Sequence, residues 1–271
     1  MRNPREIELI RLLLPVGSEA ALAEIFERTA IQSSELPFLV ESLQQCGFIF
    51  NRTERTLSIA QEPESLVPEM ILAGLRTKTI GRDVLVFRET SSTNDRARQA
   101  GVAGAAEGLV VFAESQTSGR GTYGRQWLSA PGSGLWFSIL LRCRISPNRW
   151  PMLVQMAAIA CGDAVEKWVM QPVRIKPPND LILGGGKLAG FLLETSNSWD
   201  FQVLGIGINV RSAPEIAGYP TSAVQQYFGG HVSRSALAVD VLNRFEEWYL
   251  RMPLADVSFA FERRVLKAAS A

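Results

Sequence analysis

The sequence predicts an α+β protein in two unequal parts, a small helical N-terminal domain and a larger domain built around one mixed sheet. Three observations carry this. Over the first 60 residues apolar positions recur at helical spacing in three runs, then give way to two short apolar stretches. Beyond them, short β-type runs alternate with helical patterns and several pairs are close enough to be hairpins. Between the two lies Gln61–Pro68, rich in Glu and Pro, which reads as a linker. The expected domains are therefore 1–62 and 63–271, and 271 residues suit such a division.

In the first part the helical runs are Ile7, Ile10, Leu13 and Leu14; Leu22, Ile25 and Phe26; and Leu36, Leu39, Val40 and Leu43. Gly47 stops the third. Phe48–Phe50 and Leu57–Ile59 then flank a polar turn, an order that suits a winged helix-turn-helix. In the second part a helix is expected near Leu66–Leu75, a strand at Val84–Arg88, and a helix through Gln99 with Ser92-Thr93-Asn94 at its cap. Strands follow at Leu109–Ala113 and Gly134–Arg142, then a long helix at Pro151–Val169. Strands at Val173–Lys176, Leu181–Leu183, Lys187–Thr195 and Phe201–Val210, and helices at Ser235–Leu250 and Val257–Lys267, complete the chain.

Composition narrows the function classes. The net charge of +1 gives no global case for nucleic acid or an acidic membrane, but the charge is divided unevenly. Residues 1–65 hold six arginines, no lysine and ten glutamates, so the positive balance lies in the larger domain, where an anionic ligand would need it. Cys46, Cys143 and Cys161 are scattered and form no C-x-x-C pair, which fits reduced thiols in a cytoplasmic protein. The N-terminus carries glutamates rather than a signal-peptide core, and no apolar stretch is long enough to span a bilayer. With His231 the only histidine, multi-histidine metal sites and His-dependent triads are nearly excluded.

The segment Glu114–Trp127, Glu-Ser-Gln-Thr-Ser-Gly-Arg-Gly-Thr-Tyr-Gly-Arg-Gln-Trp, points to anion binding. Gly119, Gly121 and Gly124 let backbone N–H groups approach a ligand, and Arg120 and Arg125 bring guanidinium forks suited to carboxylate or phosphate. The same glycines spell G-x-G-x-x-G, but no helix pattern opens there and no acid stands about 20 residues on, so a dinucleotide fold is not indicated. A glycine-rich hairpin loop is the structural alternative. A second segment, Lys176-Pro-Pro-Asn-Asp-Leu-Ile-Leu-Gly-Gly-Gly-Lys-Leu-Ala-Gly-Phe-Leu-Leu-Glu194, reads as a hairpin whose glycine turn sets Lys187 at the start of the return strand.

Together with Ser92-Thr93-Asn94 and Gly205-Ile-Gly-Ile-Asn209, these segments resemble, in order and spacing, the motifs of the biotin protein ligases. The N-terminal layout is similar to that of the bifunctional members, which also repress transcription. The resemblance implies a biotin/lipoate ligase-like catalytic domain. It also implies a reaction in which biotin and ATP give biotinyl-5′-AMP, and biotin then passes to a lysine of a carboxylase's biotin carboxyl carrier domain. The nearest enzyme alternative is a lipoate or octanoyl ligase or transferase; the alternative from another class is a biotin-sensing regulator.

The resemblance also assigns residues. Lys187 is the cation between biotin carboxylate and α-phosphate, with Arg120 ordering the loop and touching carboxylate or phosphate. Ser92, Thr93, Asn94, Gln116, Gly119, Gly190 and Gly207 join them around biotin. Thr122, Arg125, Trp127, Asn179, Asp180 and Asn209 take the nucleotide side, with Asp180 near a Mg²⁺ that arrives with ATP and is held largely by phosphate oxygens. Tyr219 is a candidate to stack on adenine. Two positions depart from the family pattern: Thr122 stands where a second Arg is usual, and Pro177 replaces a Trp. The usual small C-terminal β-barrel is expected to be absent, since little chain follows Lys267. Gln32–Gln45 carries Glu35, Glu41 and Pro37 but no Lys or Arg, which argues against DNA reading. A homodimer is left open.

Overall fold

A computed structural model of the chain describes residues 3–143, 145–196, 198, 200–250 and 255–266. It divides into two compact units, Met1–Leu75 and Arg76–Ala271. The smaller contains α1 (Pro4–Leu12), β1 (Glu19–Ala21), α2 (Leu22–Arg28), α3 (Leu36–Gln45), β2 (Ile49–Arg52), β3 (Thr56–Gln61) and α4 (Pro68–Gly74). Asn3 accepts from the Arg5 N–H and caps α1, and Gly47, at φ +96°, takes the left-handed turn that ends α3. The apolar positions picked out by spacing meet in one core, with Leu9, Ile10, Ile25, Leu36, Leu43 and Leu57 all buried.

Two features of this unit escaped the periodicity. Strand β1 is only three residues long and exists by pairing antiparallel with β3, which lies between β1 and β2. The stretch read as a linker is packed: Pro63, Leu66 and Val67 are buried, and Arg11 donates to the carbonyls of Leu72 and Ala73 at the end of α4. The division therefore falls after α4 rather than at residue 62.

The larger unit contains β4 (Asp83–Thr90), α5 (Thr93–Val102), β5 (Leu109–Gln116), β6 (Gly134–Leu141), α6 (Pro151–Val169), β7 (Arg174–Lys176), β8 (Asp180–Leu183), β9 (Gly186–Thr195), β10 (Gln202–Asn209), α7 (Arg234–Leu250) and α8 (Ala255–Arg264). Its seven strands form one mixed sheet in the order β4-β5-β6-β10-β9-β8-β7. Only β4 and β5 run parallel, as a crossover through α5 requires. Every residue of β6 and β10 is buried, so the middle of the sheet is covered on both faces. Ala97 of α5 packs with Leu109, Val111, Leu140, Phe201 and Val203, while α6 lies along β8, β9 and β10 and against α7.

The glycine-rich loop leads to no α-helix, only one 3₁₀ turn at Thr122–Gly124 before β6. Gly184 and Gly185, at φ +57° and +85°, make the tight β8–β9 turn, and a Cβ on Gly184 would lie 1.9 Å from the Tyr227 hydroxyl. Glu114, first residue of the loop motif, forms an ion pair with the buried Arg234 at the start of α7, 2.8 Å between Oε2 and Nη1. It therefore ties β5 to α7. Helix α8 is shorter than its pattern, and Lys267 lies outside the described residues. The cysteines form no disulfide, and no described helix is long and apolar enough to cross a membrane.

Candidate active site

A cavity of about 300 Å³ opens in the larger unit over β9 and β10, walled by the start of α5, the loop after β5, and the β8–β9 hairpin. Its floor is flat because Gly190 and Gly207 are cross-strand partners. A Cβ on Gly207 would lie 2.5 Å from the Trp127 ring and one on Gly190 2.9 Å, so the indole rests directly on the two strands.

One end of the cavity is lined by a connected set of hydrogen bonds that ends on the Glu194 carboxylate. Ser92 occupies the cap position of α5, yet its hydroxyl makes no capping bond and the buried side chain faces the cavity instead. Gln116 accepts from the Thr93 N–H at 2.8 Å through Oε1 and donates to Ser129 Oγ at 2.7 Å through Nε2. Asn94 donates to Glu194 at 2.8 Å, and its Oδ1 accepts from Ser138 at 2.5 Å. Gly205 makes room for that amide, since a Cβ there would lie 2.3 Å from Asn94 Oδ1.

The loop is anchored by charge. Arg120 forms a fork to Asp95, at 3.0 and 2.7 Å, and reaches Glu194 at 3.4 Å. The hydrogen bond from Arg120 holds the Asp95 carboxyl below its ordinary value, against the opposing effect of partial burial. Gly119 cannot carry a side chain, as its Cβ would lie 2.4 Å from the Trp127 carbonyl. Arg125 is exposed, with its guanidinium 5.8 Å from the centre of the Tyr123 ring.

The other end is less complete. Lys187 Nζ lies 2.7 Å from Asp180 Oδ1, without the alignment of a hydrogen bond, and 5.3 Å from the Trp127 ring centre. Asn209 donates to the carbonyls of Lys187 and Ser222, leaving its buried Oδ1 without a partner; Trp127 Nε1 is likewise buried and unpaired. Asn179 is fastened to the Phe191 carbonyl at 2.9 Å and stands 3.5 Å from the Thr122 hydroxyl. Tyr219, 65% exposed, sits at the cavity rim. Among the described residues no three His, Cys, Asp or Glu side chains could hold a metal ion, and Asp180 is the only carboxylate lining the cavity.

Residues 86–210 match the model of the biotin/lipoate A/B protein ligase family. The bifunctional ligase/repressor BirA of Bacillus subtilis is 30% identical over 92% of this chain and 79% of its own. The chain belongs to the biotin protein ligase family. The biotin–[acetyl-CoA-carboxylase] ligase of Mycobacterium tuberculosis is 31% identical over 74% of this chain and 79% of its own. The biotin protein ligase of Aquifex aeolicus, in complex with biotin and ATP, superposes with a TM-score of 0.59 at 27% identity, covering 68% of this chain and 79% of that one. The Leishmania major enzyme, at 23% identity and a TM-score of 0.62 over 70% and 85%, shows the same fold.

In this biotin protein ligase most of the residues singled out from the motifs line the same cavity; Gly119, Gly124 and Pro177 do not, and Gly119 faces the Trp127 carbonyl, Gln116 and Ser129 instead. Arg120 differs from its expected setting, because its guanidinium is already engaged by two carboxylates. Ser129, Ser138 and Asp95, which complete the network, were not singled out. Asp95 stands one residue beyond the Ser-Thr-Asn motif, so its neighbours gave a signal for it, but Ser138 sits in an otherwise apolar strand and gave none.

Proposed function

We propose that this biotin protein ligase joins biotin to ATP and passes it to a lysine of a biotin carboxyl carrier domain. A biotin carboxylate oxygen attacks the α-phosphorus, giving biotinyl-5′-AMP and pyrophosphate. The acceptor amine then attacks the acyl carbon, AMP leaves, and the amine gives up a proton. Neither step needs a nucleophile from the protein. The first brings two anions together, so charge and positioning are what the chain must supply.

The observation that carries this reading is the polarity of the cavity, uncharged side chains linked by hydrogen bonds around Thr93 and Gln116 and the Lys187 ammonium, beside Asp180, at the other end. The ureido ring of biotin, with its N–H donors and carbonyl, suits the first end. Lys187 supplies charge to carboxylate and α-phosphate in both half-reactions, and Arg120 holds the loop through Asp95 and Glu194. Asn209 Oδ1 offers an acceptor to the nucleotide base. The single carboxylate of Asp180 fits a Mg²⁺ that comes with ATP, most of its ligands being phosphate and water. Biotin-dependent exchange of labelled pyrophosphate into ATP tests the assignment; exchange driven by lipoate and not by biotin overturns it.

A repressor function is suggested by the name of the Bacillus relative, which matches along both units. The connectivity of the small unit suits a winged helix, but the exposed face of α3 presents Pro37, Phe38, Glu41, Gln44 and Gln45, with Phe38 72% exposed. That face has no cation for phosphate. We expect no operator complex at physiological salt; a sequence-selective, salt-sensitive mobility shift would reverse that view.

A further inference from the structure

Gln116, the last residue of β5, lines the cavity, and a backbone group settles which way its amide faces. Its Oε1 accepts from the Thr93 N–H at 2.8 Å and from the Thr93 hydroxyl at 3.2 Å, and that hydroxyl accepts in turn from Ser138 at 2.7 Å. A carbonyl oxygen has two lone pairs, so both are taken. What the amide can still give is its NH₂, and one hydrogen of it goes to Ser129 Oγ at 2.7 Å. The second hydrogen is the one it can offer to a ligand.

Ser129 is buried and stands outside the cavity lining. It faces Gln116 across an antiparallel bridge at the base of the glycine-rich loop, where the Gln116 backbone N–H donates to the Ser129 carbonyl at 3.3 Å. Gly119 covers the side-chain bond, since a Cβ there would lie 3.1 Å from both Gln116 Nε2 and Ser129 Oγ. The Ser129 oxygen accepts from Gln116 while its own proton is turned to the Trp127 carbonyl at 3.4 Å. Thr93 thus holds the oxygen side of the amide, and Ser129 holds the nitrogen side.

We propose that Ser129 is a positioning residue for the ring site, fixing the plane in which the Gln116 amide meets a ligand carbonyl such as that of a ureido ring. This rests on the biotin reading above and adds to it a residue that touches neither substrate. Held by Thr93 alone, the amide can swing about its oxygen. Held at both ends, it points its remaining N–H in one direction before a ligand binds. Loss of the Ser129 hydroxyl leaves that nitrogen short of an acceptor and returns the ordering cost to the binding step.

The test is a double-mutant cycle on biotin binding, by calorimetry on the full chain without ATP. Ser129→Ala should weaken biotin roughly 3- to 10-fold, the range for one hydrogen bond, and leave the KM for ATP in pyrophosphate exchange unchanged. Gln116→Ala should weaken biotin more, and adding Ser129→Ala to that variant should cost nothing further. Ser129→Cys, close in shape but a weaker acceptor, should fall between wild type and Ser129→Ala. Unchanged biotin affinity in Ser129→Ala overturns the proposal. So does an equal loss in the Gln116→Ala background, because Ser129 would then act through the loop and not through Gln116. Wild-type protein that binds no biotin overturns the biotin reading itself, which is a separate result.

Discussion

The two ends of the cavity are built on different principles. Around Thr93, Asn94 and Gln116 the polar side chains are joined by hydrogen bonds among α5, β5, the loop at Ser129, β6 and β9. Around Lys187 an acceptor on Asn209 and a donor on Trp127 are buried without partners, and Lys187 and Asp180 meet out of alignment. Buried polar atoms are seldom left this way. Under the proposed reading, a neutral ring would meet side chains already held by one another, and the charged, reacting end would be completed by the substrate.

The most severe way to separate the ends is to remove the cation. Lys187→Ala should slow biotin-dependent pyrophosphate exchange by roughly 10²- to 10³-fold, the range for one preorganised electrostatic group, with the thermal midpoint nearly unchanged. Near-wild-type exchange would exclude Lys187 from the chemistry. A gentler change adds charge to the open end. Thr122→Arg should slow dissociation of preformed adenylate by about 10- to 100-fold, as a charge-assisted bond would, and leave biotin affinity alone. Equal release rates would mean that Arg125 or another group already does this.

Disturbing the closed end should give the opposite signature. Gly205→Ala drives a methyl against the Asn94 amide and should raise the KM for biotin roughly tenfold, with the KM for ATP little altered; a change in the ATP constant alone would break the division into two ends. The smallest effect is that of acid. The Asp95 carboxyl, held low by the Arg120 hydrogen bond, stabilises the folded loop above its unfolded range, and that contribution is lost as pH falls through the lowered folded value. Proteolysis within residues 117–127 should accelerate below about pH 4 and stay flat between about pH 6 and 8. A rise centred near neutrality would point to a group other than Asp95.

Much of this was legible in the sequence where the signal is local. Helix α6 runs over the residues its pattern indicates, with Pro151 able to start it and a long apolar face to hold it. The β8–β9 hairpin follows from Gly184 and Gly185, the residues a left-handed turn demands. What stayed hidden depends on distant partners. Strand β1 has three residues and no period of its own. Ser138 reads as a stray polar residue until Thr93 and Asn94, 45 and 44 positions away, are brought beside it. The motif named Glu114 but could not tell that its partner, Arg234, stands 120 residues on and makes it structural. It named Arg120 as a ligand group and could not show that Asp95 had claimed it first.

The indole of Trp127, laid on the bare backbone of Gly190 and Gly207 beneath the Lys187 ammonium, is also an optical probe. Its excited state is sensitive to a cation at 5.3 Å and to an edge-on neighbour, Trp136, at 6.1 Å. A ligand that draws Lys187 away changes the first surrounding, and one that lifts the ring from the strands changes both. Ligand occupancy should therefore register in the protein's ultraviolet emission, as a change superposed on the five other tryptophans and lost in a Trp127→Phe protein.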